Sequence, residues 1–151
     1  MLKCGHPRSA LFYTKNWTPR PLLPPYRPEE TMKTLIEKAR HAADQAYAPY
    51  SHFAVGAALQ TASGHIYTGC NVENASYGLT NCAERTAIFK AVSEGETQFI
   101  RMAIWVDSDI LFTPCGACRQ VISEFSSDME IVIASRTQTL HTSIAELLPH
   151  S

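Results

Sequence analysis

The sequence lacks any run of about 18 or more apolar residues, so a membrane-spanning helix is not expected. It also lacks an excess of charge, because 13 Lys and Arg face 14 Asp and Glu. This balance argues against binding to nucleic acid or to anionic membranes that is driven by charge alone. The five cysteines are odd in number and exclude a fully paired disulfide framework. At 151 residues, the chain is long enough for one domain with a core, and two full domains are not expected.

Acidic residues are absent from residues 1–28, which carry five basic groups and six of the nine prolines. Residues 29–151 hold the other eight basic and all fourteen acidic groups. Proline fixes φ and has no N–H, so the stretch 19–28 cannot form a helix interior or a central strand. We therefore predict a Pro-rich basic tail over 1–30 and a folded domain over 31–151. The tail is extended or disordered, or an upstream extension before a start at Met32, and a transit peptide is a further alternative.

Helical and strand patterns alternate along the folded domain. The predicted elements, in chain order, are a helix from an N-cap at Thr31 to about Ala48, strands over 53–60 and 65–71, a helix from Cys82 to Glu94 stopped by Gly95, a strand over 99–106, a helix over 116–126, a strand over 129–134 and a helix over 143–148. The first two strands flank a Ser-Gly turn and form a hairpin. Strands separated by helices indicate one α/β sandwich with this hairpin at one end.

Three cysteines lie at the predicted starts of two helices. The Cys-x-x-Cys spacing of Cys115 and Cys118 lets two thiolates reach one ion across a single helical turn. A third thiolate, from Cys82, would leave one tetrahedral position open, as in catalytic zinc sites. Two alternatives stay open at this point. Cys115 and Cys118 could form a redox pair, although no thioredoxin-like pattern surrounds them, and Cys70 could close a structural site, although a buried core cysteine is favoured.

Charged residues accompany these cysteines in the sequence. Three thiolates on Zn²⁺ leave one excess negative charge, which Arg85 and Arg119 could offset through hydrogen bonds to the ligands. The alternative is two solvated surface arginines. Glu84 could hold a zinc-bound water and move its proton. Its spacing alone favours a different role, a capping box with Asn81 as the N-cap and Glu84 at the N3 position.

At the level of motifs, Cys82-Ala83-Glu84 followed by Pro114-Cys115-Gly116-Ala117-Cys118 resembles the zinc-dependent deaminase signature. Because its first position is a cysteine, Cys82, the signature resembles that of the small, homotetrameric cytidine deaminases. The segments 46–58 and 69–77 also resemble that family, so the resemblance covers roughly 33–149. It implies a three-layer α/β/α sandwich with a mixed sheet of about five strands, and a cytidine deaminase-like catalytic domain over 31–151.

The same resemblance implies roles for individual residues. Zinc, one ion per subunit, is held by the three clustered cysteines, and Glu84 is the catalytic proton shuttle. Phe53 lies against the pyrimidine ring, and Asn71 and Glu73 hydrogen-bond the ribose hydroxyls. The spacing of the last two agrees, since residues two apart on a strand share a face. The alternatives are a core anchor for Phe53 and polar surface near a turn for Asn71 and Glu73.

The implied activity is hydrolysis of cytidine and 2′-deoxycytidine to uridine and 2′-deoxyuridine plus ammonia, in pyrimidine salvage. The resemblance further implies a homotetramer and a nucleoside as the partner. Reduced thiolates at a metal predict a cytoplasmic location. The lack of a long apolar run argues against a membrane, and the acidic folded domain argues against nucleic acid. The family usually places an aromatic residue after Glu-Leu-Leu-Pro, where this chain has His150 and Ser151. Alternative functions are deamination of a blasticidin-type antibiotic, deamination of a polynucleotide, and a structural zinc site without catalysis.

Overall fold

The computed structural model describes residues 32–149 of the chain. The predicted tail over 1–30 and the predicted N-cap at Thr31 lie outside these residues. The elements, in chain order, are α1 (Met32–Ala43), β1 (Val55–Thr61), β2 (Ile66–Cys70), a 3₁₀ turn (Tyr77–Leu79), α2 (Ala83–Ser93), β3 (Phe99–Val106), α3 (Gly116–Phe125), β4 (Glu130–Ala134), β5 (Thr139–Ser143) and α4 (Ile144–Leu147).

The five strands form one sheet in the order β2-β1-β3-β4-β5. β1 pairs antiparallel with both β2 and β3, and β4 pairs antiparallel with β5. β3 and β4 run parallel, and α3 lies in the crossover between them. The predicted mixed sheet of about five strands, with a hairpin at one end, is therefore confirmed.

The two faces of the sheet pack against different helices. One face packs against α1 in a buried cluster made of Leu35, Ala39, Ala58, Ala103 and Val132. The other face packs against α2 and α3 in a larger cluster that includes Ala57, Ala87, Ile104, Ile122 and Ile131. Neighbouring strand residues point to opposite faces, which is why Ala57 and Ala58 belong to different clusters. The predicted three-layer sandwich is confirmed.

Two glycines let helices lie directly on the hairpin of β1 and β2. A Cβ atom at Gly56 would overlap the carbonyl oxygen of Ala39 in α1. A Cβ atom at Gly69 would lie 2.5 Å from the backbone nitrogen of Ala87 in α2. Because no side chain fits at either place, the close approach depends on glycine. Gly69 thereby fixes α2, the helix that Cys82 precedes, against the sheet.

α1 ends at Ala43, earlier than the predicted end near Ala48. The chain leaves the helix because the backbone of Tyr47 pairs with the segment after β2. The N–H of Tyr47 donates to the carbonyl of Asn71 over 3.0 Å, and the N–H of Glu73 donates to the carbonyl of Tyr47 over 2.8 Å. The alanine spacing that predicted a longer helix gives no sign of this long-range pairing.

The remaining boundaries agree with the sequence to within one or two residues, and β3 spans the predicted 99–106. Gly95 has a φ of 93°, as expected of the glycine that ends α2. The residue pattern does not reveal β5, because Thr139–Ser143 is a mostly exposed edge strand without an apolar run. Within residues 32–149, none of the helices combines the length and the apolar character that crossing a bilayer requires.

Candidate active site

Three cysteine thiols meet where α2 and α3 begin. Cys82 is the N-cap residue of α2, Cys115 is the N-cap residue of α3, and Cys118 lies in the first turn of α3. Their Sγ atoms all lie within 4.8 Å of one another, and those of Cys82 and Cys115 are 3.8 Å apart. Zn–S bonds of about 2.3 Å place two tetrahedral thiolate ligands about 3.8 Å apart. The donor set and its spacing therefore fit zinc.

Hydrogen bonds polarise this cluster. Contacts with Cys118 and with Arg85 lower the pKa of Cys82 to about 5, well below the ordinary range of a thiol. The contact with Cys82, together with burial, raises the pKa of Cys118. The opposite directions of the two pKa shifts favour the thiolate form at Cys82 and retention of the proton at Cys118. Binding of a zinc ion by all three sulfurs would release that proton.

Arg85 and Arg119 differ in what they contact. Nη2 of Arg85 donates a hydrogen bond to Sγ of Cys82 over 3.3 Å. Arg119 donates to the carbonyl of Pro114 over 2.7 Å and to the carbonyl of Leu147 over 2.9 Å. Of the two, only Arg85 is placed to offset negative charge on a thiolate. Arg119 joins the start of α3 to the end of α4.

Glu84 lies in the first turn of α2 with 5% of its surface exposed. Burial raises the pKa of its carboxyl group, and the negative charge of Cys82 raises it further. The predicted capping box is wrong, because Cys82 occupies the N-cap position and Nδ2 of Asn81 donates to the hydroxyl of Thr86 over 3.0 Å. A nearly buried carboxyl group that lines a cavity can exchange a proton with a ligand there.

Cys70 lies away from the three clustered thiols. It ends β2 opposite Gly56, on the sheet face that packs against α1, and its Sγ donates to the carbonyl of Gln45 over 3.3 Å. Among residues 32–149, the cysteines grouped closely enough to share a metal ion are the other three. The alternative of a closed four-cysteine site is therefore wrong. Cys70 is partly exposed, so the predicted buried core cysteine is wrong.

A cavity of about 440 Å³ adjoins the cysteine cluster. Its volume lies within the range of about 300–1,000 Å³ that is typical of small-molecule sites. The lining includes Cys82, Glu84 and the apolar side chains Val55, Ile104 and Val106. The three residues predicted to bind substrate also line it, namely Phe53, Asn71 and Glu73. The structure thus brings predicted metal, catalytic and substrate residues to one cavity.

Asn71 braces the loop that carries Phe53. Its Nδ2 donates to the carbonyl of Phe53 over 2.8 Å, and its Oδ1 accepts from the N–H of Val55 over 2.9 Å. The residue is 9% exposed. Both ends of the side-chain amide are therefore hydrogen-bonded to the backbone, at Phe53 and at Val55. Asn71 shapes the cavity wall as well as lining it.

Glu73 is held by the residues that precede Phe53. Its Oε2 accepts from the N–H of Tyr50 over 2.9 Å and from the N–H of Ser51 over 3.2 Å, and its Oε1 accepts from the hydroxyl of Ser51. These bonds, above all the one from the Ser51 hydroxyl, hold the pKa of Glu73 below its ordinary value. An ionised carboxylate only accepts hydrogen bonds, so Glu73 suits a ligand hydroxyl that donates.

Ser51 and Phe112 are among the cavity residues that sequence reasoning missed. The hydroxyl of Ser51 accepts from the N–H of Phe53 over 3.1 Å, across His52, whose φ of 55° is left-handed. A serine two residues before the bonded N–H is a recognised turn signal that the sequence offered. Phe112 lies between β3 and α3 with its ring centroid 4.9 Å from that of Phe53. A single aromatic residue in a loop has no periodicity that would reveal it.

The sequence and the fold are similar to those of characterised deaminases. Residues 29–135 match the family described as cytidine and deoxycytidylate deaminase zinc-binding region. A cytidine deaminase of Sporosarcina psychrophila is 48% identical over 120 residues, which are 78% of this chain and 88% of that protein. Blasticidin-S deaminase of Bacillus cereus is more distant, 33% identical over 123 residues, with 76% of this chain and 87% of that protein covered. The crystal structure of cytidine deaminase from Burkholderia pseudomallei superposes with a TM-score of 0.77 at 47% identity, covering 80% of this chain and 98% of that one.

Proposed function

The chain belongs to the cytidine and deoxycytidylate deaminase family, and from that premise we propose that it hydrolyses cytidine and 2′-deoxycytidine. Water replaces the amino group at C4, and the products are uridine or 2′-deoxyuridine and ammonia. One observation carries the proposal. Cys82, one of three convergent thiols, and the nearly buried carboxyl group of Glu84 line the same ligand-sized cavity.

Cys82, Cys115 and Cys118 would hold one zinc ion per subunit. When bound, such an ion lowers the pKa of water and so supplies a nucleophile at neutral pH. The chain supports the thiolates in two ways. The N-termini of α2 and α3 carry partial positive charge beside them, and Arg85 donates a hydrogen bond to Cys82.

Glu84 is the proposed catalytic acid and base. Its carboxylate would accept one proton of the attacking water and deliver it to N3 of the pyrimidine. It would then move the proton of the new hydroxyl group at C4 to the amino group, which leaves as ammonia while the C4 carbonyl forms. This role needs a carboxyl group that gains and loses a proton readily near neutral pH. Burial beside the Cys82 thiolate, which raises the pKa of Glu84, favours that behaviour.

The nucleoside would lie between the loop of Phe53 and the cysteine cluster. Phe53 would contact the pyrimidine ring, while Asn71 and Glu73 would face the ribose hydroxyls. The ionised state of Glu73 and its position on the cavity wall support this orientation. Ser51 joins the two ends of the site, because its hydroxyl bonds both Glu73 and the N–H of Phe53.

We also propose a homotetramer in the cytoplasm, acting in pyrimidine salvage. Tyr50, Tyr77 and Leu79 expose 47%, 77% and 72% of their surfaces beside Glu73 and Thr80, and such an apolar rim favours contact with another subunit. A reducing compartment keeps three free thiols available for zinc. Light scattering after size-exclusion chromatography measures the mass of the assembly. A monomeric mass would contradict the homotetramer.

The activity is tested with the full chain purified with zinc. Ultraviolet absorbance follows the conversion of cytidine and of 2′-deoxycytidine, with and without a chelator. Blasticidin S and single-stranded DNA are the competing substrates, and Glu84→Gln is the matched inactive control.

We expect the wild type to convert both nucleosides, to stop after chelation and to recover when zinc is restored. Preference for blasticidin S would instead make this protein a blasticidin-S deaminase, like its more distant relative from Bacillus cereus. Conversion of DNA alone would assign a polynucleotide deaminase. Bound zinc without conversion of any substrate would overturn the catalytic proposal in favour of a structural zinc site.

A further inference from the structure

Phe112 lies at the cavity mouth in the segment that joins β3 to α3. It lines the cavity and leaves 47% of its surface exposed. Its ring centroid is 4.9 Å from that of Phe53, and the two ring planes meet at 74°. This edge-to-face arrangement is one of the two that aromatic pairs prefer. The two rings therefore form two nearly perpendicular apolar walls of one site.

The segment that carries Phe112 is fixed by the turn between β4 and β5. The carbonyl of Asp109 accepts from the hydroxyl of Thr137 over 2.9 Å and from Nε2 of Gln138 over 3.1 Å. The N–H of Arg136 donates to the carbonyl of Ser108 over 2.9 Å. Polar contacts on the far side of the loop thus hold its backbone, which leaves the Phe112 ring available to the cavity.

We propose that Phe112 is a further substrate-binding residue, which together with Phe53 forms an aromatic corner around the pyrimidine ring. This inference rests on the proposed function, which supplies the planar base. A base stacked on either ring meets the other at close to a right angle, because the ring planes differ by 74°. Stacking on one wall fixes the plane of the base, and the second wall limits its rotation within that plane.

Phe112 is therefore a determinant of affinity for an aromatic base. It does not exchange protons and has no part in the metal site, so its loss weakens binding while the chemical step continues. Base–aromatic contacts change affinity by about tenfold per ring removed.

The test measures KM and kcat for cytidine and the Kd for uridine by calorimetry, all on the zinc-loaded full chain. The variants are Phe112→Ala, Phe112→Leu, which keeps apolar bulk, and Phe112→Tyr, which keeps the ring. Ile110→Ala is the matched control, because Ile110 lies in the same loop with 64% of its surface exposed. Zinc content and thermal denaturation are recorded for each protein.

We expect Phe112→Ala to raise KM and the uridine Kd about tenfold with kcat within about twofold of wild type, and Phe112→Tyr to restore both. If the alanine variant does not fold, an increase in the leucine variant supports the inference equally. Wild-type KM in every folded variant overturns it, and so does an equal change in Ile110→Ala, which would make the effect one of loop order. A wild type that is inactive on cytidine is a separate result, because it overturns the proposed function itself.

Discussion

Nη2 of Arg85 donates a hydrogen bond to Sγ of Cys82 over 3.3 Å, and the same nitrogen donates to the carbonyl of Thr80 over 3.1 Å. Arg85 thus joins a thiolate at the start of α2 to the strand-like segment just before it. The contact places a permanent positive charge beside a cluster that, as three thiolates, would carry one more negative charge than a zinc ion offsets. Charge-assisted hydrogen bonds of this kind are stronger than neutral ones.

We predict that Arg85→Gln weakens zinc binding and turnover about tenfold or more, the usual effect of losing a residue that orients a metal ligand. The glutamine removes the charge and retains a donor. Zinc affinity is measured by competition with a chromogenic chelator, and turnover with cytidine. Arg40→Gln on α1 is the control, because Arg40 stacks on Trp105 on the other face of the sheet. Wild-type zinc affinity and turnover in Arg85→Gln would refute the role.

We predict that Glu84→Gln retains one zinc ion per chain and loses about 10²–10⁴-fold in kcat, the range for removing a general acid and base. The amide preserves the shape of the side chain and cannot take up and return a proton. Metal analysis and single-turnover conversion of cytidine measure the two effects separately. Full activity with normal zinc content would remove Glu84 from the proposed mechanism.

The layers of the fold were readable from the sequence because they depend on local patterns. β3 is an apolar run that is buried on both faces, and its predicted limits match the observed Phe99–Val106. β5 pairs with β4 through its backbone, while its exposed side chains carry no pattern. The early end of α1 was missed for a related reason, since backbone hydrogen bonds of Tyr47 to a distant segment determine it.

The site residues, too, fall into those that local sequence patterns predict and those that depend on long-range contacts. The closeness of the Cys115 and Cys118 sulfurs was predictable, because Cys-x-x-Cys at a helix start constrains where the sulfurs lie. Phe112 could not be found by pattern, since its meeting with Phe53 depends on two loops that the sheet brings together. The bracing role of Asn71 was hidden as well. Its partners, Phe53 and Val55, lie across a hairpin from it, and no local rule specifies such bonds.

We predict that Gly56→Ala destabilises the fold by about 3 kcal/mol, the upper end of the usual cost of overpacking. A methyl group there would overlap the carbonyl oxygen of Ala39, so backbone rather than a flexible side chain would have to move. Gly78→Ala is the matched control, because a Cβ atom at Gly78 meets nothing within 4 Å. Thermal and urea denaturation measure both variants, and equal stability of the two would show that α1 can shift to admit the methyl group.

We predict that Asn71→Ala lowers the free energy of unfolding by about 2 kcal/mol, because it leaves two backbone groups, at Phe53 and Val55, without a partner. KM for cytidine should rise in the same variant, since the loop of Phe53 loses its brace. Asn74→Ala is the matched control, as its exposed side chain accepts a bond from the N–H of Ser76 two residues further along the chain. Urea denaturation and steady-state kinetics separate two explanations. If Asn71 only contacts the ribose, Asn71→Ala raises KM and leaves the stability unchanged. If Asn71 braces the loop, the substitution changes both KM and stability. A stability loss no larger than that of Asn74→Ala would contradict the bracing role.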